Sequence, residues 1–511
     1  MKKIIVIGCP GSGKSTFSRA LYKITGISLF HLDMMYWNSD KTTVEKSVFH
    51  ERLSKTIQKS EWIIDGNYGS TMELRIQACD TIIFLDYPLE VCLDGIKERR
   101  GKNRSDMPWI EADNEEDAEF IEFIKNYNLQ SRPQVMELLE KYSYKNIYRF
   151  TNRMEADKFL ALEQRMKLMW DTDIVWEESL TMVKDKNGIA KAPLLYTPKQ
   201  IFSVTNAAGN IVYEENRDWV WQEGQFCLTP ESRIFAFEFD ELYPQNEIPG
   251  HCFPMPEGYI LFEEGHFFHD RQIAVSYTCE KGEWTGIKPA FSADKLPRTT
   301  ARLKKGEPLR VVLYGDSISE GYNASGYTGA EPYLPCYGEL LCQELKRRTG
   351  SQIEFINPSK AGMSSVWGAD NVEELVNCHQ VDLLIVAFGM NDGGRTPEDF
   401  VGNIRRLVKG ALAKQKDMEV ILVATSTPNP LLTDDRAKFW GNQILFKSAL
   451  DRLADEISNG AGIAVADITG MQSFLHSRKR FVDTTGNHVN HPNDFFHRCY
   501  AQFLAGMLLE D

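Results

Sequence analysis

The chain has 511 residues, of which 42% are hydrophobic and 25% charged, values that are ordinary for soluble globular protein. At about 150 residues per domain, this length predicts three domains. The formal net charge of −14 argues against a broad binding surface for nucleic acid or an anionic membrane, although a local basic pocket for phosphates remains compatible with it. The sequence contains no stretch of the roughly 18 apolar residues that a membrane span needs.

Three successive regions of the chain differ in their pattern of apolar and polar residues, and together they predict a multidomain α/β protein. Residues 1–163 alternate short apolar strands with helical stretches, which predicts a parallel sheet. Residues 165–300 read as short strands and hairpins, for which a β-sandwich is the natural closure. A polar linker is predicted at 291–308, and βα alternation resumes over 305–511. The ten scattered cysteines, without a CxxC pair, predict reduced thiols and a cytoplasmic location.

The first strand runs into "GCPGSGKS" (8–15), which matches the phosphate-loop pattern G-x-x-x-x-G-K-[ST]. Glycines in such a loop let backbone N–H groups face phosphate oxygens, Lys14 would reach the β and γ oxygens, and Ser15 would hold Mg²⁺. The predicted nucleotide-binding residues of the loop are Gly8, Gly11, Ser12, Gly13, Lys14, Ser15 and Thr16.

Acidic residues end three later strands of this first domain. Asp33, Asp65 and Asp86 are candidates for the Mg²⁺ shell or for contacts with a phosphoryl acceptor, and Asp86 ends an apolar run of Walker-B type. The alternative for each is a helix cap or turn former. Arginines in "ERRGKNRSD" could close as a lid on a transferring phosphoryl group, or could form a solvated basic turn. These arginines are Arg99, Arg100 and Arg104.

The first third resembles the adenylate-kinase-like P-loop kinases, and more closely the small bacterial FlaR-like proteins named for DNA topology modulation. The matching pieces are "GCPGSGKS", "HLDMMYW", "WIIDGNY" and "RRGKNRSDMP". The resemblance implies ATP and Mg²⁺ as cofactors and a capacity for phosphoryl transfer, with the acceptor open. The alternative is a nucleotide-binding regulatory module that transfers nothing.

Four residues near strand ends form a predicted hydrolytic site in the last third. Ser317 in "GDSIS" would be the nucleophile and His491 in "NHVNHPND" its base. The backbone N–H groups of Ser317 and Gly362 and the side-chain amide of Asn391 could stabilise the oxyanion of a tetrahedral intermediate. The ends of neighbouring strands in an open α/β sheet converge on one crevice, which would bring these residues together. Taken alone, a serine after a strand is often only a helix N-cap.

In this order the segment 305–511 resembles the SGNH/GDSL esterases and lipases, on the motifs "GDSIS", "GMND" and "HPND". The resemblance implies a flavodoxin-like α/β/α domain and ester hydrolysis through an acyl-serine without a metal. Members of the family usually carry an Asp three residues before the histidine, where this chain has His488. The imidazole of His491 would then be oriented by a backbone carbonyl, by Asn487 or by Asp483, or the enzyme would work as a Ser–His dyad. A degenerate binding module is a further alternative.

The middle segment carries several tryptophans, which could face a carbohydrate or fill a core. A β-sandwich before an SGNH domain resembles the arrangement in several carbohydrate esterases, which implies an acetylated sugar as substrate. The expected partners are therefore a small acyl ester and a nucleotide, with neither nucleic acid nor membrane. His497 is expected in the scaffold of the final helix rather than at a metal. The tryptophans are Trp170, Trp176, Trp219, Trp221 and Trp284.

Overall fold

The computed structural model describes six stretches of the chain, which are 1–99, 101–102, 106–108, 118–433, 441–458 and 462–510. Residue contacts divide the chain into two units, Met1–Gln164 and Arg165–Asp511. Within the second unit we call residues 165–300 the middle segment and residues 305–511 the C-terminal segment. No helix in the described part of the chain is long and apolar enough to cross a membrane.

The first unit is built on a five-stranded parallel sheet. Its strands are β1 (Lys3–Gly8), β2 (Leu29–His31), β3 (Trp62–Asp65), β4 (Thr81–Leu85) and β5 (Asn146–Phe150). They lie in the order β2-β3-β1-β4-β5, and every pair is parallel. The interior strands are continuous apolar runs because helices cover both faces of the sheet.

Helices pack on the two faces of this sheet in two separate apolar clusters. They are α1 (Lys14–Thr25), α2 (Leu32–Tyr36), α3 (Lys46–Ile57), α4 (Gly69–Ala78), α5 (Leu89–Arg99), α6 (Ala118–Lys141) and α7 (Arg153–Arg165). Ile4 and Val6 belong to one cluster and Ile5 and Ile7 to the other, as the alternation of side chains along β1 requires. The parallel sheet predicted for residues 1–163 is therefore confirmed.

The middle segment forms three small antiparallel sheets. Their strands are β6 (Ile174–Thr181), β7 (Lys191–Ala192), β8 (Gln200–Asn206), β9 (Trp219–Gln222), β10 (Gln225–Leu228), β11 (Cys252–Met255), β12 (Gly258–Leu261) and β13 (Gln272–Thr278), with a short helix α8 (Phe239–Leu242). The sheet orders are β6-β13-β8, β7-β10-β9 and β11-β12. A closed two-sheet sandwich remains a prediction. Trp170, Trp219 and Trp284 are buried, which favours a core role for these three.

The C-terminal segment contains a second parallel sheet. Its strands are β14 (Leu309–Gly315), β15 (Ile353–Ile356), β16 (Leu383–Ala387), β17 (Glu419–Ala424) and β18 (Ile463–Asp467). The order β15-β14-β16-β17-β18 is that of a flavodoxin-like sheet. Successive strands are added first on one side of β14 and then on the other. The predicted α/β fold of this segment is confirmed.

The linker predicted at 291–308 is instead largely a packed helix. It is the first of the remaining helices, which are α9 (Pro297–Lys305), α10 (Ser317–Glu320), α11 (Ser325–Thr328), α12 (Tyr337–Thr349), α13 (Ser365–Asp370), α14 (Val372–Leu375), α15 (Pro397–Lys414), α16 (Gln443–Ile457), α17 (Ile468–His476) and α18 (Asp494–Leu508). Pro297 opens α9, and the buried carboxylate of Glu419 accepts hydrogen bonds from the N–H groups of Arg298 at 3.0 Å and Thr299 at 2.7 Å. These contacts satisfy the free N–H groups of the first turn, a tertiary effect that local composition does not reveal.

Buried polar contacts join the middle and C-terminal segments into one unit. The ammonium of Lys479 binds the carboxylate of Glu178, and both side chains are fully buried. The carboxylate of Asp483 accepts a hydrogen bond from the N–H of Thr181 at 2.9 Å. Charged groups that are buried in this way need their partners, so the two segments depend on each other for stability.

Candidate active site

The residues predicted to form the hydrolytic site meet at one edge of the C-terminal sheet. Ser317 follows β14, Gly362 follows β15 and Asn391 follows β16, and β14 lies between the other two strands. Because parallel strands end at the same edge of a sheet, the three segments converge there. The expectation that His491 also lies near a strand end is wrong, because α17 separates it from β18 and it reaches Ser317 from the loop that precedes α18.

Ser317 lies in a tight turn between β14 and α10. The turn leaves no room for a side chain at Gly315, where a Cβ would lie 2.5 Å from the carbonyl oxygen of Ala387. The carboxylate of Asp316 accepts a hydrogen bond from the N–H of Ile318 at 3.1 Å and caps the short helix. The predicted nucleophile is thus fixed by the turn that carries it.

The side chains of Ser317 and His491 form a hydrogen bond of 2.9 Å between Oγ and Nε2. Both are almost completely buried, with 5% and 6% of their surface exposed. The loop that carries the histidine is held by Asn487, whose Oδ1 accepts a hydrogen bond from the His491 N–H at 3.0 Å, and by the hydroxyl of Thr485, which donates to the His491 carbonyl at 2.9 Å. This is the geometry that a serine nucleophile and its base require.

Two side chains that the sequence analysis did not single out face the other ring nitrogen of His491. The Oδ1 of Asn323 lies 2.8 Å from Nδ1, and the Oε2 of Glu264 lies 3.3 Å from it. Asn323 follows the nucleophile closely in sequence and could have been considered for that reason. Glu264 lies 227 residues before His491, in the middle segment, and no local pattern marks it.

The acceptors predicted for His491 from the sequence, Asn487 and Asp483, are wrong. Asn487 contacts the backbone of the histidine loop instead of the ring. Asp483 is engaged by the guanidinium of Arg480 at 2.7 Å and by the N–H of Thr181. Both are short polar side chains near His491 in sequence, but their oxygens accept hydrogen bonds from backbone N–H groups and, for Asp483, from Arg480, and not from the His491 ring.

His488 stands where the related enzymes carry an Asp and lies in an apolar environment. Its Nδ1–H donates to the carbonyl oxygen of Leu261 at 3.3 Å, and its ring lies 5.4 Å from that of Tyr243 and 5.7 Å from that of Phe268. Burial lowers the pKa of His488 to about 3, so the ring is neutral at physiological pH. The residue therefore packs against the middle segment and does not touch His491.

The predicted oxyanion donors are free to act. Within the described residues, the backbone N–H groups of Ser317 and Gly362 have no hydrogen-bond acceptor. The side-chain amide of Asn391 donates to the carbonyl oxygen of Met363 at 3.0 Å, which fixes its orientation and leaves its second N–H. These three donors are placed on the ends of adjacent strands.

His497 occupies the scaffold position expected for it. The residue is fully buried in α18, its Nε2 lies 3.4 Å from the carbonyl oxygen of Tyr322, and burial lowers its pKa to about 4. Among the described residues, no group of three or more His, Cys, Asp or Glu side chains could hold a metal ion.

In the first unit, the predicted phosphate loop joins β1 to α1 and needs its glycines. A Cβ on Gly8 would lie 2.5 Å from the carbonyl oxygen of Leu85, and one on Gly11 would lie 2.0 Å from that of Cys92. Gly13 has a φ of 87°, in the left-handed region that favours glycine. Close packing and backbone conformation therefore both explain the glycine spacing.

The side chains of the loop are arranged around backbone carbonyls. The ammonium of Lys14 donates to the carbonyl oxygens of Gly8 at 2.9 Å and Cys9 at 3.0 Å. The hydroxyl of Ser12 is buried and has no hydrogen-bond partner in the described part of the chain. The first turn of α1 carries the other two predicted residues, Ser15 and Thr16.

Two of the predicted carboxylates lie near Lys14. Asp33 accepts a hydrogen bond from the hydroxyl of Tyr68 at 2.7 Å, and Asp65 lies 2.8 Å from the Nδ1 of His31. Burial lowers the pKa of Lys14, and the charges of Asp33 and Asp65 act against this shift. Burial likewise raises the pKa of Asp33. The second oxygen of Asp65 is buried without a hydrogen-bond partner among the described residues.

Asp86, the third predicted carboxylate, is engaged by two arginines. The guanidinium of Arg132 donates to both of its oxygens, at 2.8 and 2.9 Å, and Arg149 donates to one of them at 2.8 Å. Although burial opposes ionisation, these two arginines lower the pKa of Asp86. The structure thus gives Asp86 an ion-pair partner on each side rather than an open face.

Of the predicted lid arginines, Arg99 ends α5 and its guanidinium lies 5.5 Å from the ring centre of Phe120. Its positive charge adds to the effect of burial in lowering the pKa of Lys14, which places it near the loop. The others, Arg100 and Arg104, lie outside the described residues.

Comparisons with known proteins bear on the C-terminal segment. Residues 313–499 match the GDSL-like lipase/acylhydrolase family. An arylesterase of Vibrio mimicus is 26% identical over 121 residues, which are 23% of this chain and 56% of that protein. The chain therefore spans just over half the length of this curated relative.

Two solved structures show similarity at low identity. A two-domain esterase active on acetylated mannans is 21% identical, with 43% of this chain and 54% of that chain covered and a TM-score of 0.34. An acetylxylan esterase from Geobacillus stearothermophilus, solved as a catalytic mutant, is 16% identical, with 40% and 97% covered and a TM-score of 0.33. The family match spans both Ser317 and His491, so the part of the chain that is similar to the GDSL-like lipases and acylhydrolases contains both partners of the 2.9 Å hydrogen bond.

Proposed function

We propose that the C-terminal segment is a serine esterase that cleaves a small acyl ester, an acetylated carbohydrate above all, through an acyl-Ser317 intermediate. The observation that carries the proposal is the 2.9 Å hydrogen bond between Ser317 Oγ and His491 Nε2 at the end of a parallel sheet. A serine hydroxyl is a weak nucleophile and needs a base at this distance.

The proposed chemistry has two halves. Ser317 Oγ attacks the carbonyl carbon while its proton passes to His491 Nε2, and the alcohol then leaves with that proton as the tetrahedral intermediate collapses to the acyl-serine. Water next attacks the acyl-serine, His491 takes a proton from the water, and Ser317 leaves with it as the acid is released. The base is restored at the end of each cycle.

Three hydrogen-bond donors are proposed to stabilise the negative charge that develops on the carbonyl oxygen. The N–H groups of Ser317 and Gly362 lack other acceptors in the described part of the chain, and Asn391 has an N–H to spare. Fixed donors of this kind need no reorganisation during the reaction, and loss of one typically costs about 10²–10³ in rate.

The carbohydrate preference is supported by aromatic side chains next to the catalytic pair. The ring of Tyr322 lies 5.3 Å from that of His491 and 4.7 Å from that of Tyr327. Tyr327 is 47% exposed and Tyr333 is 60% exposed, both on the segment that follows the nucleophile. Exposed rings in the segment that follows Ser317 suit a sugar, which offers apolar ring faces and hydroxyl groups together.

The test is release of acetate from p-nitrophenyl acetate and from acetylated xylo- and manno-oligosaccharides by the wild type and Ser317→Ala. We expect the variant to lose at least about 10³-fold in kcat, since only the oxyanion donors and binding remain. Ser448→Ala, which changes an exposed serine on α16, is the matched control. Equal rates for wild type and Ser317→Ala would refute the esterase proposal.

For the first unit we propose nucleotide binding by the loop 8–15, favoured by the glycine packing and by Lys14 at the start of α1. The unpaired Ser12 hydroxyl and the unpaired Asp65 oxygen fit a phosphate and a hydrated Mg²⁺ respectively, so the residues present suit ATP with Mg²⁺. Lys14 and the backbone N–H groups would hold the phosphates, and Asp33 and Asp65 would bind the hydrated metal.

Calorimetric titration with ATP and Mg²⁺ tests this second proposal. Lys14→Ala should abolish binding, whereas Lys55→Ala, at an exposed lysine paired with Glu51, should bind as the wild type does. Lysine-dependent ADP release would favour phosphoryl transfer, and tight binding without turnover would favour a regulatory module. Failure of the wild type to bind would refute the proposal.

A further inference from the structure

We infer that Glu264 of the middle segment is the carboxylate that positions and supports His491, so that the hydrolytic site is completed by a part of the chain outside the GDSL/SGNH region. The inference rests on the proposed esterase function. Glu264 touches neither the nucleophile nor the expected substrate position; it acts through the imidazole and is a positioning residue.

The hydrogen bonds around Asn323 fix the tautomer of His491. The Nδ2 of Asn323 donates to the carbonyl oxygens of Gly265 at 2.8 Å and Gly486 at 3.2 Å, so its Oδ1 must be the atom that faces His491. Since Oδ1 can only accept, the proton of the neutral ring lies on Nδ1. Nε2 therefore carries the lone pair toward Ser317, as a general base requires.

A neutral amide can set the tautomer, but it offers little stabilisation once the ring becomes an imidazolium. Glu264 supplies the missing negative charge, 3.3 Å from Nδ1. Burial alone would raise the pKa of Glu264, yet the hydrogen bond and charge of His491 outweigh it and the pKa is lowered. The side chain is 40% exposed, so solvent weakens the effect relative to a buried Asp.

Three independent contacts hold the loop after β12, which carries Glu264, against the loop 484–493, which carries His491 and is called the histidine loop. His488 Nδ1–H donates to the carbonyl oxygen of Leu261, three residues before the glutamate. Val489 packs with Ile260 of β12 in a buried cluster. Asn323 bridges the carbonyls on the two loops, one of them adjacent to Glu264. These contacts position the Glu264 carboxylate beside Nδ1 of His491.

These contacts explain the residue found at position 488. An Asp there would be needed only if the histidine loop had to carry its own carboxylate. His488 instead turns away from His491 and secures the strand that precedes Glu264. Tyr322 and His497 also lie close to His491, and burial keeps His497 uncharged. Within the described part of the chain, the carboxylate of Glu264 forms the ion-pair contact with the imidazole.

The test compares Glu264→Gln with Glu263→Gln in the full chain, with p-nitrophenyl acetate over a range of pH. Glutamine keeps the length of the side chain and an oxygen for Asn487, and removes only the charge. Glu263 is the adjacent residue and pairs with His251 at the surface, so its variant is a matched control. Glu264→Asp retains a carboxylate and serves as the conservative variant.

We expect Glu264→Gln to lower kcat by about 10- to 10²-fold with little change in KM, less than the about 10⁴-fold cost of neutralising a buried triad carboxylate. The acid limb of the kcat/KM profile should move to lower pH, because a neighbouring anion favours the protonated ring. Glu263→Gln should match the wild type, and Glu264→Asp should recover the position of the acid limb. A merely structural role of Glu264 would not move that limb.

A wild-type rate and an unchanged acid limb in Glu264→Gln would overturn the inference. That result is distinct from failure of the esterase proposal, in which the wild type and Ser317→Ala hydrolyse the ester equally. Active wild type, inactive Ser317→Ala and unaffected Glu264→Gln would together leave a Ser–His pair supported by Asn323 alone.

Discussion

Asn323 accepts the Nδ1–H hydrogen bond of His491 at 2.8 Å from a left-handed backbone conformation with a φ of 60°. The residue lies in the turn that follows α10, so the chain immediately after the proposed nucleophile also orients the proposed base. Asparagine tolerates left-handed φ better than most residues and offers an amide oxygen there. Backbone conformation and hydrogen bonding thus favour the same residue type.

Replacement of Asn323 should separate these two contributions. Asn323→Gly keeps the backbone conformation and removes the acceptor, together with the donor that bridges the carbonyls of Gly265 and Gly486, and we expect kcat to fall about 10-fold and stability to fall by about 1–3 kcal/mol. Asn323→Ala should lose the same activity and in addition about 1 kcal/mol of stability, since a Cβ is strained at this φ. Steady-state kinetics and urea denaturation check both outcomes; an Asn323→Gly variant with full activity would contradict the prediction.

An Asp at position 488, where the resembling esterases were expected to carry one, should not improve the proposed activity. His488→Asp would bury a carboxylate beside the rings of Tyr243 and Phe268, at a cost of about 3 kcal/mol in the free energy of unfolding. We expect kcat to fall or to stay unchanged. His488→Asn, which keeps an uncharged donor and suits the φ of 66°, is the milder control. A rise in kcat for His488→Asp would contradict the arrangement described above.

Asp316 should make stability depend on pH in an unusual direction. Burial raises its pKa to about 7, well above that of an unfolded aspartate, so the folded state holds a proton that the unfolded state releases between about pH 4 and 7. Its contribution to stability is therefore complete below this window and is lost as pH rises through it. Relative to Asp316→Asn, which keeps the cap, the wild type should lose about 2 kcal/mol between pH 5 and pH 7 in denaturant titrations. Parallel curves of stability against pH for the wild type and Asp316→Asn would refute this prediction.

The buried pair Lys479–Glu178 should be essential for folding. Lys479→Met would leave Glu178 as an uncompensated buried charge, and we expect the free energy of unfolding to drop by about 3–5 kcal/mol. Lys199→Met, at a surface lysine paired with Glu280, should cost less than about 1 kcal/mol. Guanidinium denaturation of the two variants makes the comparison, and similar losses would contradict it.

Asp86 should prove structural rather than a nucleotide contact. Asp86→Asn would remove the ion pairs with Arg132 and Arg149, and we expect a loss of about 1–3 kcal/mol of stability with ATP affinity changed less than threefold. Asp65→Asn, by contrast, should weaken Mg²⁺-dependent binding. The two variants are compared by thermal unfolding and calorimetry; a large affinity loss in Asp86→Asn alone would return Asp86 to the metal shell.

The parallel sheets could be predicted because they depend on local sequence, and the Ser317–His491 pair could be predicted from the motifs that carry the two residues, although they lie 174 residues apart. Apolar runs define the strands, and strand ends in an open sheet converge whatever lies between them. The glycine spacing of the loop 8–15 was equally visible, although its reason includes close contacts with Leu85 and Cys92 that only the fold reveals.

What could not be predicted depends on long-range contacts. Glu264 has no motif around it and meets His491 only through the packing of β12 on the histidine loop. The segment 291–308 looks like a linker because it is polar, whereas the contact that packs its helix, the acceptance of two backbone N–H groups by Glu419, comes from a residue far along the chain. Asp86 resembled a metal ligand because it ends an apolar strand. Its two arginine partners lie on elements far along the chain, so the sequence around Asp86 does not reveal them.

The buried contacts between the middle and C-terminal segments have a practical consequence for dissecting this protein. A fragment that begins at residue 305 would uncover Lys479 and Asp483, whose partners Glu178 and Thr181 would be missing. It would also lack the carbonyl acceptors of Arg498, which belong to Trp176 and Glu177. Inactivity of such a truncated fragment would reflect a broken interior, so a fragment made to test the proposed hydrolysis should begin at residue 165, where the second unit begins.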